Sequence, residues 1–225
     1  MQGMREPEPF HGPAFAVGYQ DCIENSPPVE GQLRLQPNRE WLDDVRRVES
    51  PNQDARPDPE DISLLVIHGI SLPPGDFGGP WIERLFCNRL DPDVHPYFRE
   101  IAHLRVSAHL LLRRDGELIQ FVPFTRRAWH AGSSCFSGRE ACNDYSIGIE
   151  LEGTDEQPYT TTQYTRLAEV IAVLQAAWPA ITPGRIVGHC NVAPGRKTDP
   201  GPAFDWSHLA GLLAPAGGLA QGDTS

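Results

Sequence analysis

Residues 187–202 of the chain read V-G-H-C-N-V-A-P-G-R-K-T-D-P-G-P. This stretch brings His189, Lys197 and Asp199 close together, and its prolines and glycines predict a stiff irregular loop rather than a helix. Histidine and aspartate are metal-ligand types. Lys197 is the single lysine among 19 basic residues, which indicates a task that the planar guanidinium of arginine would perform badly. The alternative is a solvated surface loop with a core histidine.

A catalytic zinc site needs a third protein ligand and leaves its fourth position to water. Residues 62–68 read I-S-L-L-V-I-H, an apolar run typical of a buried strand that ends at His68. Functional groups often lie at such strand ends. Spacing alone favours His68 only weakly, because His109 and His130 compete for the role. His109 lies in an alternating apolar segment typical of a core, whereas His130, in A-W-H-A-G, is a candidate for lining a pocket.

The segment 145–152 reads Y-S-I-G-I-E-L-E and predicts a strand with two distinct faces. One face is apolar and the other is polar or small: Ile147, Ile149 and Leu151, against Ser146, Gly148, Glu150 and Glu152. The two small residues before Glu150 leave room for another group to lie across that face. A glutamate beside a metal suits a general base, and the alternative is an exposed polar edge.

Strand and helix signals interleave along the rest of the chain. The sequence R-D-G at 114–116 predicts a hairpin between strands 104–112 and 117–122. A capping box at 160–163 predicts the start of the longest helix, which Pro179 ends. The pattern therefore predicts one α/β domain with a mixed central β-sheet flanked by helices.

This domain is expected over residues 38–213, and Asn38 is a candidate cap for a short first helix. Asp205 is a candidate cap for the last helix. The proline-rich, acidic residues 1–37 predict a flexible N-terminal extension, and the small, polar residues 214–225 predict a disordered tail.

Charge and composition exclude several classes of partner. The net charge of −11 argues against nucleic acid. The segment 105–139 is nevertheless basic, with six arginines against two acidic residues, which suits a substrate that carries carboxylates. No apolar run approaches the ~18 residues of a membrane span.

The cysteines and the N-terminus predict the compartment. Five cysteines without a C-x-x-C pair are not a disulfide framework and suit a reducing environment. The first residues lack the basic and apolar regions of a signal peptide. Together these features predict a cytoplasmic protein.

Five segments carry a resemblance that extends over most of the chain. They are H-G-I-S-L-P-P-G-D-F-G-G-P-W (68–81), H-L-R-V-S-A-H (103–109), R-A-W-H-A-G (127–132), C-N-D-Y-S-I-G-I-E-L-E-G-T-D (142–155) and G-H-C-N-V-A-P-G-R-K-T-D-P-G-P-A-F-D-W (188–206). In sequence and order they resemble the AmpD-type N-acetylmuramoyl-L-alanine amidases. These are zinc enzymes of the wider group that includes phage-lysozyme-like amidases and peptidoglycan recognition proteins.

The resemblance implies a role for eight residues and one zinc ion per chain. The implied zinc ligands are His68, His189 and Asp199; the catalytic groups are Glu150 and Lys197; and the substrate contacts are Arg105, Trp129 and His130. Arg105 would hold a stem-peptide carboxylate. Trp129 and His130 would line the sugar or peptide subsite, although core packing is an equal alternative for Trp129. The chain departs from the family at Gly69, where asparagine is frequent.

The implied reaction is hydrolysis of the amide between N-acetylmuramic acid, in its 1,6-anhydro form, and the L-alanine of the stem peptide. A monomer that acts on soluble muropeptides during peptidoglycan recycling is expected. The alternatives are a secreted amidase that acts on intact wall, a non-catalytic peptidoglycan-binding module and a non-haem iron oxygenase, which also uses two histidines and a carboxylate.

Overall fold

The computed structural model describes residues 32–214. Most of the predicted N-terminal extension and all but the first residue of the predicted tail therefore lie outside the described residues. Of the predicted extension, Leu33 is buried and Leu35 packs against the same core.

Within residues 32–214 the chain forms ten strands and five α-helices. The strands are β1 Arg46–Arg47, β2 Gln53–Ala55, β3 Leu64–Ile70, β4 Leu110–Leu112, β5 Leu118–Gln120, β6 Arg126–Ala128, β7 Cys135–Phe136, β8 Arg139–Glu140, β9 Ser146–Glu152 and β10 Ile186–Gly188. The helices are α1 Trp81–Phe86, α2 Pro96–Ile101, α3 Thr161–Ala177, α4 His189–Val192 and α5 Trp206–Leu213. None of these helices is both long and apolar enough to cross a membrane.

Six strands form the central sheet in the order β1-β5-β4-β9-β3-β10. The pairs β1/β5, β4/β9, β9/β3 and β3/β10 are parallel, whereas the hairpin β4/β5 is antiparallel. The sheet is therefore mixed, which confirms the predicted fold class. The two central strands, β3 and β9, are paired along seven residues each and form its rigid middle.

Apolar side chains cover both faces of the sheet. The larger core lies on one face and combines Ile147, Ile149 and Leu151 of β9 with the buried stripe of α3 and with Leu209 of α5. This confirms the predicted apolar face of β9. A second core packs α1 and α2 against Leu111 and its neighbours. Leu64 and Val66, on the other face of β3, lie in a third cluster with Tyr145 and Val192. Both faces of β3 are therefore buried, as its uninterrupted apolar sequence predicts.

The structure differs from the sequence-based predictions in three local features. The helix expected after Asn38 is absent among residues 32–47, because Arg39 and Asp44 have φ values of 58° and 55°, which a right-handed helix excludes. The strand predicted for 104–112 begins only at Leu110. The stretch 187–202 is not irregular throughout, since one helical turn, α4, precedes Pro194.

Candidate active site and metal centre

Three neighbouring parallel strands bring the predicted site residues together near their C-terminal ends; β3 does not end at His68, as predicted, but continues to Ile70. His68 of β3 pairs with Glu150 of β9. β10 pairs with β3, and His189 is the first residue after β10. The loop beyond α4 returns to this point, because the backbone N–H of Cys190 donates to the carbonyl oxygen of Asp199 at 3.0 Å. Residues that are far apart in the chain therefore converge at one edge of the sheet.

The donor atoms of His68, His189 and Asp199 form a compact cluster. Nδ1 of His68 lies 3.0 Å from Nδ1 of His189. Oδ2 of Asp199 lies 3.0 Å from Nδ1 of His189 and 3.2 Å from Nδ1 of His68. Ligand atoms held roughly 2.0–2.1 Å from a tetrahedral ion stand about 3.3 Å apart. The three groups therefore form a possible metal site whose spacing and donor types fit zinc.

The protein environment holds His68 and Asp199 in the protonation states that a metal requires. Burial lowers the pKa of His68 to about 4, although its hydrogen bond with Asp199 partly offsets this effect. Burial opposes ionisation of Asp199, but hydrogen bonds with His189 and His68 outweigh it and lower the pKa of that carboxyl. At neutral pH a neutral imidazole therefore faces an ionised carboxylate, as metal binding demands.

Glu150 stands beside this cluster with one carboxylate oxygen unpaired. Its Oε1 lies 4.0 Å from Nδ1 of His68, and only 12% of its side chain is exposed. Its Oε2 is buried and has no hydrogen-bond partner among residues 32–214. Burial, assisted by repulsion from Asp199 and opposed by attraction to Lys197, raises the pKa of Glu150 well above its ordinary value. Such a carboxyl is suited to taking up and releasing a proton.

A cleft of about 560 Å³ opens over the cluster. Lys197 lines it, carried by the loop that follows α4, where its backbone N–H donates to the carbonyl oxygen of Ala193 at 3.1 Å. Part of the lining is apolar and comes from the β3–α1 connection, α1, α2 and the residues after α2: Leu72, Leu85, Phe86, Tyr97, Ile101, Leu104 and Val106. The cleft thus combines a polar, proton-transferring region with an apolar surface.

Residues 58–202 match the family model described as N-acetylmuramoyl-L-alanine amidase. The chain belongs to this amidase family. The amidase is 63% identical over 178 residues to the 1,6-anhydro-N-acetylmuramyl-L-alanine amidase AmpD of Salmonella typhimurium (strain SL1344), with 79% of this chain and 95% of that relative covered. The resemblance read from the motifs is confirmed.

Solved structures give the same assignment for the fold of the amidase. A crystal structure of a selenomethionine AmpD derivative superposes with a TM-score of 0.77 at 60% identity, covering 80% of this chain and 99% of that one. The amidase AmiD of E. coli, in complex with the substrate anhydro-N-acetylmuramic acid-L-Ala-D-gamma-Glu-L-Lys, superposes with a TM-score of 0.50 at 28% identity. That match covers 81% of this chain and 66% of AmiD.

Two predicted substrate contacts lie outside the lining of the amidase cleft. Arg105 is exposed, and its guanidinium donates to the carbonyl oxygens of His103 and Leu104 at 3.3 Å. Since Leu104 and Val106 line the cleft, Arg105 stands at its rim. Trp129 is half-buried, and its hydrogen bond to Asp54 contributes, after that of Arg127, to lowering the pKa of the Asp54 carboxyl.

His130 occupies the space that the sequence left open beside Glu150. Its ring lies over Gly148, and Nδ1 is 2.9 Å from Nε2 of His68. The apolar part of the lining was not anticipated from the sequence. Tyr97, Ile101 and Leu104 recur at helical spacing, and this periodicity is the signal from which the apolar surface could have been predicted.

Proposed function

We propose that this amidase binds one zinc ion through His68, His189 and Asp199 and cleaves soluble muropeptides. The bond cleaved is the amide between 1,6-anhydro-N-acetylmuramic acid and L-alanine. The observation that carries the proposal is the Glu150 carboxylate, which is buried beside the metal-ligand cluster with one oxygen unpaired. An unpaired buried carboxylate costs stability, so its presence supports a role in proton transfer rather than in the architecture of the sheet.

The roles of the protein groups follow from what amide hydrolysis needs. An amide is a poor electrophile and water a poor nucleophile; bound zinc would polarise the carbonyl and lower the pKa of water toward ~7. Glu150 accepts the proton of the attacking water and donates it to the leaving amine. Because burial raises its pKa, Glu150 holds the proton between these transfers. The Lys197 ammonium stabilises the developing oxyanion, where one donor contributes about 3–4 kcal/mol.

The names of the relatives and the two-sided lining of the cleft support the substrate assignment. The Salmonella relative is named for 1,6-anhydro-N-acetylmuramyl-L-alanine, and the AmiD complex holds an anhydro-muropeptide. The apolar lining suits the carbon faces of the anhydro sugar, whereas the polar region receives the amide. Arg105 at the rim would hold a stem-peptide carboxylate.

The proposed setting is the recycling of soluble wall fragments in the cytoplasm. Within residues 32–214 the four cysteines are free thiols, which supports a reducing compartment. Every group invoked in the reaction comes from a single chain, so a monomer suffices.

The zinc assignment is tested by metal content measured together with amidase activity. Chelator treatment should abolish release of the stem peptide, and added zinc should restore it. His68→Ala should lose both zinc and activity, whereas His103→Ala, which removes an exposed histidine, should keep both. Stoichiometric zinc and full activity in His68→Ala would disprove the ligand assignment.

The recycling assignment is tested by substrate competition. Purified protein is given a soluble anhydro-muropeptide and, separately, intact sacculi. Cleavage of the soluble substrate should be much faster, because a crosslinked wall is too large to enter a cleft of this size. Comparable rates on the two would favour the second candidate, an amidase that acts on intact wall.

A further inference from the structure

The two metal-ligand histidines present the same ring atom to the cluster. His68 and His189 both face Asp199 with Nδ1. The other nitrogen of each ring, Nε2, contacts one of two consecutive residues, His130 or Ala131. Nε2 of His189 lies 3.4 Å from the carbonyl oxygen of Ala131, and Nε2 of His68 lies 2.9 Å from Nδ1 of His130.

The hydrogen bonds that connect His68, His130 and Ser146 can have only one donor-to-acceptor direction. A ligand nitrogen must present its lone pair, so Nδ1 of His68 is free of hydrogen and Nε2 carries the proton. Nε2–H then donates to Nδ1 of His130, which leaves the proton of His130 on Nε2. That proton donates to Oγ of Ser146 at 3.1 Å. Both ring nitrogens of His130 are therefore engaged by the protein, and neither is free for substrate.

Gly148 makes room for the His130 ring. A β-carbon on Gly148 would lie 2.5–2.7 Å from Cγ, Nδ1 and Cδ2 of His130, closer than atoms can approach. The backbone beside the ring is also fixed, because the N–H groups of His130 and Ala131 both donate to Oδ1 of Asn143, at 3.1 and 2.8 Å. The ring is thus clamped by β9 on one side and by its own anchored backbone on the other.

We propose that His130 is a positioning residue for the metal site: it fixes the ring orientation and tautomer of His68 through the Nε2–H···Nδ1 hydrogen bond, and Gly148 and Ser146 hold it there. The inference rests on the proposed zinc site. His130 lines the cleft, as predicted, and the inference assigns it a further task in holding a metal ligand.

The test is the zinc dissociation constant of the metal-free protein, measured by competition with a chelator. Removing a hydrogen-bond partner of a ligand weakens metal affinity by about 10–100-fold, so His130→Ala should show such a loss. His130→Asn keeps an acceptor oxygen near the position of Nδ1 and should recover much of the affinity. Gly148→Ala should also weaken zinc binding, because the added methyl group displaces the His130 ring. This variant changes neither His130 nor any of the three metal ligands.

The matched control is His208→Gln, which alters an exposed histidine whose ring packs against Tyr164. Its zinc affinity should equal that of the wild type. Wild-type affinity in folded His130→Ala would overturn the inference and leave the zinc site intact. An Asn variant no tighter than the Ala variant would also overturn it. Failure of the wild type itself to bind zinc would instead disprove the proposed function.

Discussion

The hydroxyl of Tyr159 fills the space beside Gly69 in which a side chain would lie. A β-carbon on Gly69 would be 2.4 Å from that oxygen but 3.7 Å from the ring carbon that carries it. Tyr159 is buried and donates to the carbonyl oxygen of Pro200 at 3.0 Å, and Pro200 follows the metal-ligand candidate Asp199. The glycine that departs from the family pattern therefore packs against a contact that supports the ligand loop.

We expect Gly69→Ala to lower the free energy of unfolding by about 1–3 kcal/mol, the usual cost of overpacking. In a Tyr159→Phe background the same substitution should cost less, because only the more distant ring carbon remains. Urea unfolding of the four zinc-free proteins measures this coupling. An equal cost in both backgrounds would show that the hydroxyl is not the obstacle.

Glu150→Gln and Lys197→Met should retain zinc but lose turnover, because neither side chain belongs to the donor cluster. We expect kcat to fall by roughly 10²–10³-fold in the lysine variant, as for the loss of one oxyanion donor. Lys197→Arg should also be impaired, since a planar fork cannot place its charge where the ammonium stood. Zinc content measured beside kcat checks both residues, and wild-type kcat in either variant would remove that residue from the mechanism.

Arg105→Ala should lower kcat/KM for a muropeptide with free stem carboxylates by roughly one to two orders of magnitude, the effect of losing one charge-assisted hydrogen bond. The same substrate with amidated carboxylates should show little difference between variant and wild type. Arg99→Ala is the matched control, because Arg99 is an exposed arginine whose ion-pair partner is Asp93. Equal losses on both substrates would assign Arg105 a role other than carboxylate recognition.

The zinc-free protein should lose stability as the pH falls below the ordinary range of histidine, and His109 should account for part of the loss. Burial lowers the pKa of His109 well below its ordinary value of 6.5. Below pH 6.5 the unfolded chain therefore takes up a proton that the folded protein refuses, so protonation favours unfolding. Each pH unit in this window costs about 1.4 kcal/mol per such group.

His109→Gln removes the imidazole that takes up this proton. The free energy of unfolding of the variant minus that of the wild type should therefore be about 2 kcal/mol larger at pH 5 than at pH 7. Urea unfolding at the two pH values provides the measurement. A difference that does not change with pH would mean that the pKa of His109 is the same in the folded and the unfolded protein.

Local patterns predicted the elements that depend on neighbours in the chain. The capping box at the start of α3 is present in both halves: Thr160 Oγ1 accepts from the N–H of Gln163 at 3.1 Å, and Gln163 Oε1 accepts from the N–H of Thr160 at 3.0 Å. The alternation along β9 likewise placed Glu150 opposite the core. The helix expected after Asn38 does not form. The β-bridge between Leu35 and Leu42 and the burial of Leu42 in the core outweigh the weak helix propensity of this segment.

The sequence by itself determined the two central strands, the long helix and the residue types of the metal cluster, because periodicity, caps and ligand chemistry are properties of short segments. Tertiary structure alone decided which distant groups meet. His68 and His189 are 121 positions apart, and Glu152 finds its buried partner Arg113 at 3.2 Å across 39 positions. The placement of His130 over Gly148 depends in the same way on the packing of a loop against a strand. Such contacts follow from strand order and register, which local sequence does not encode, because the free energy that selects them comes from burying the whole sheet at once.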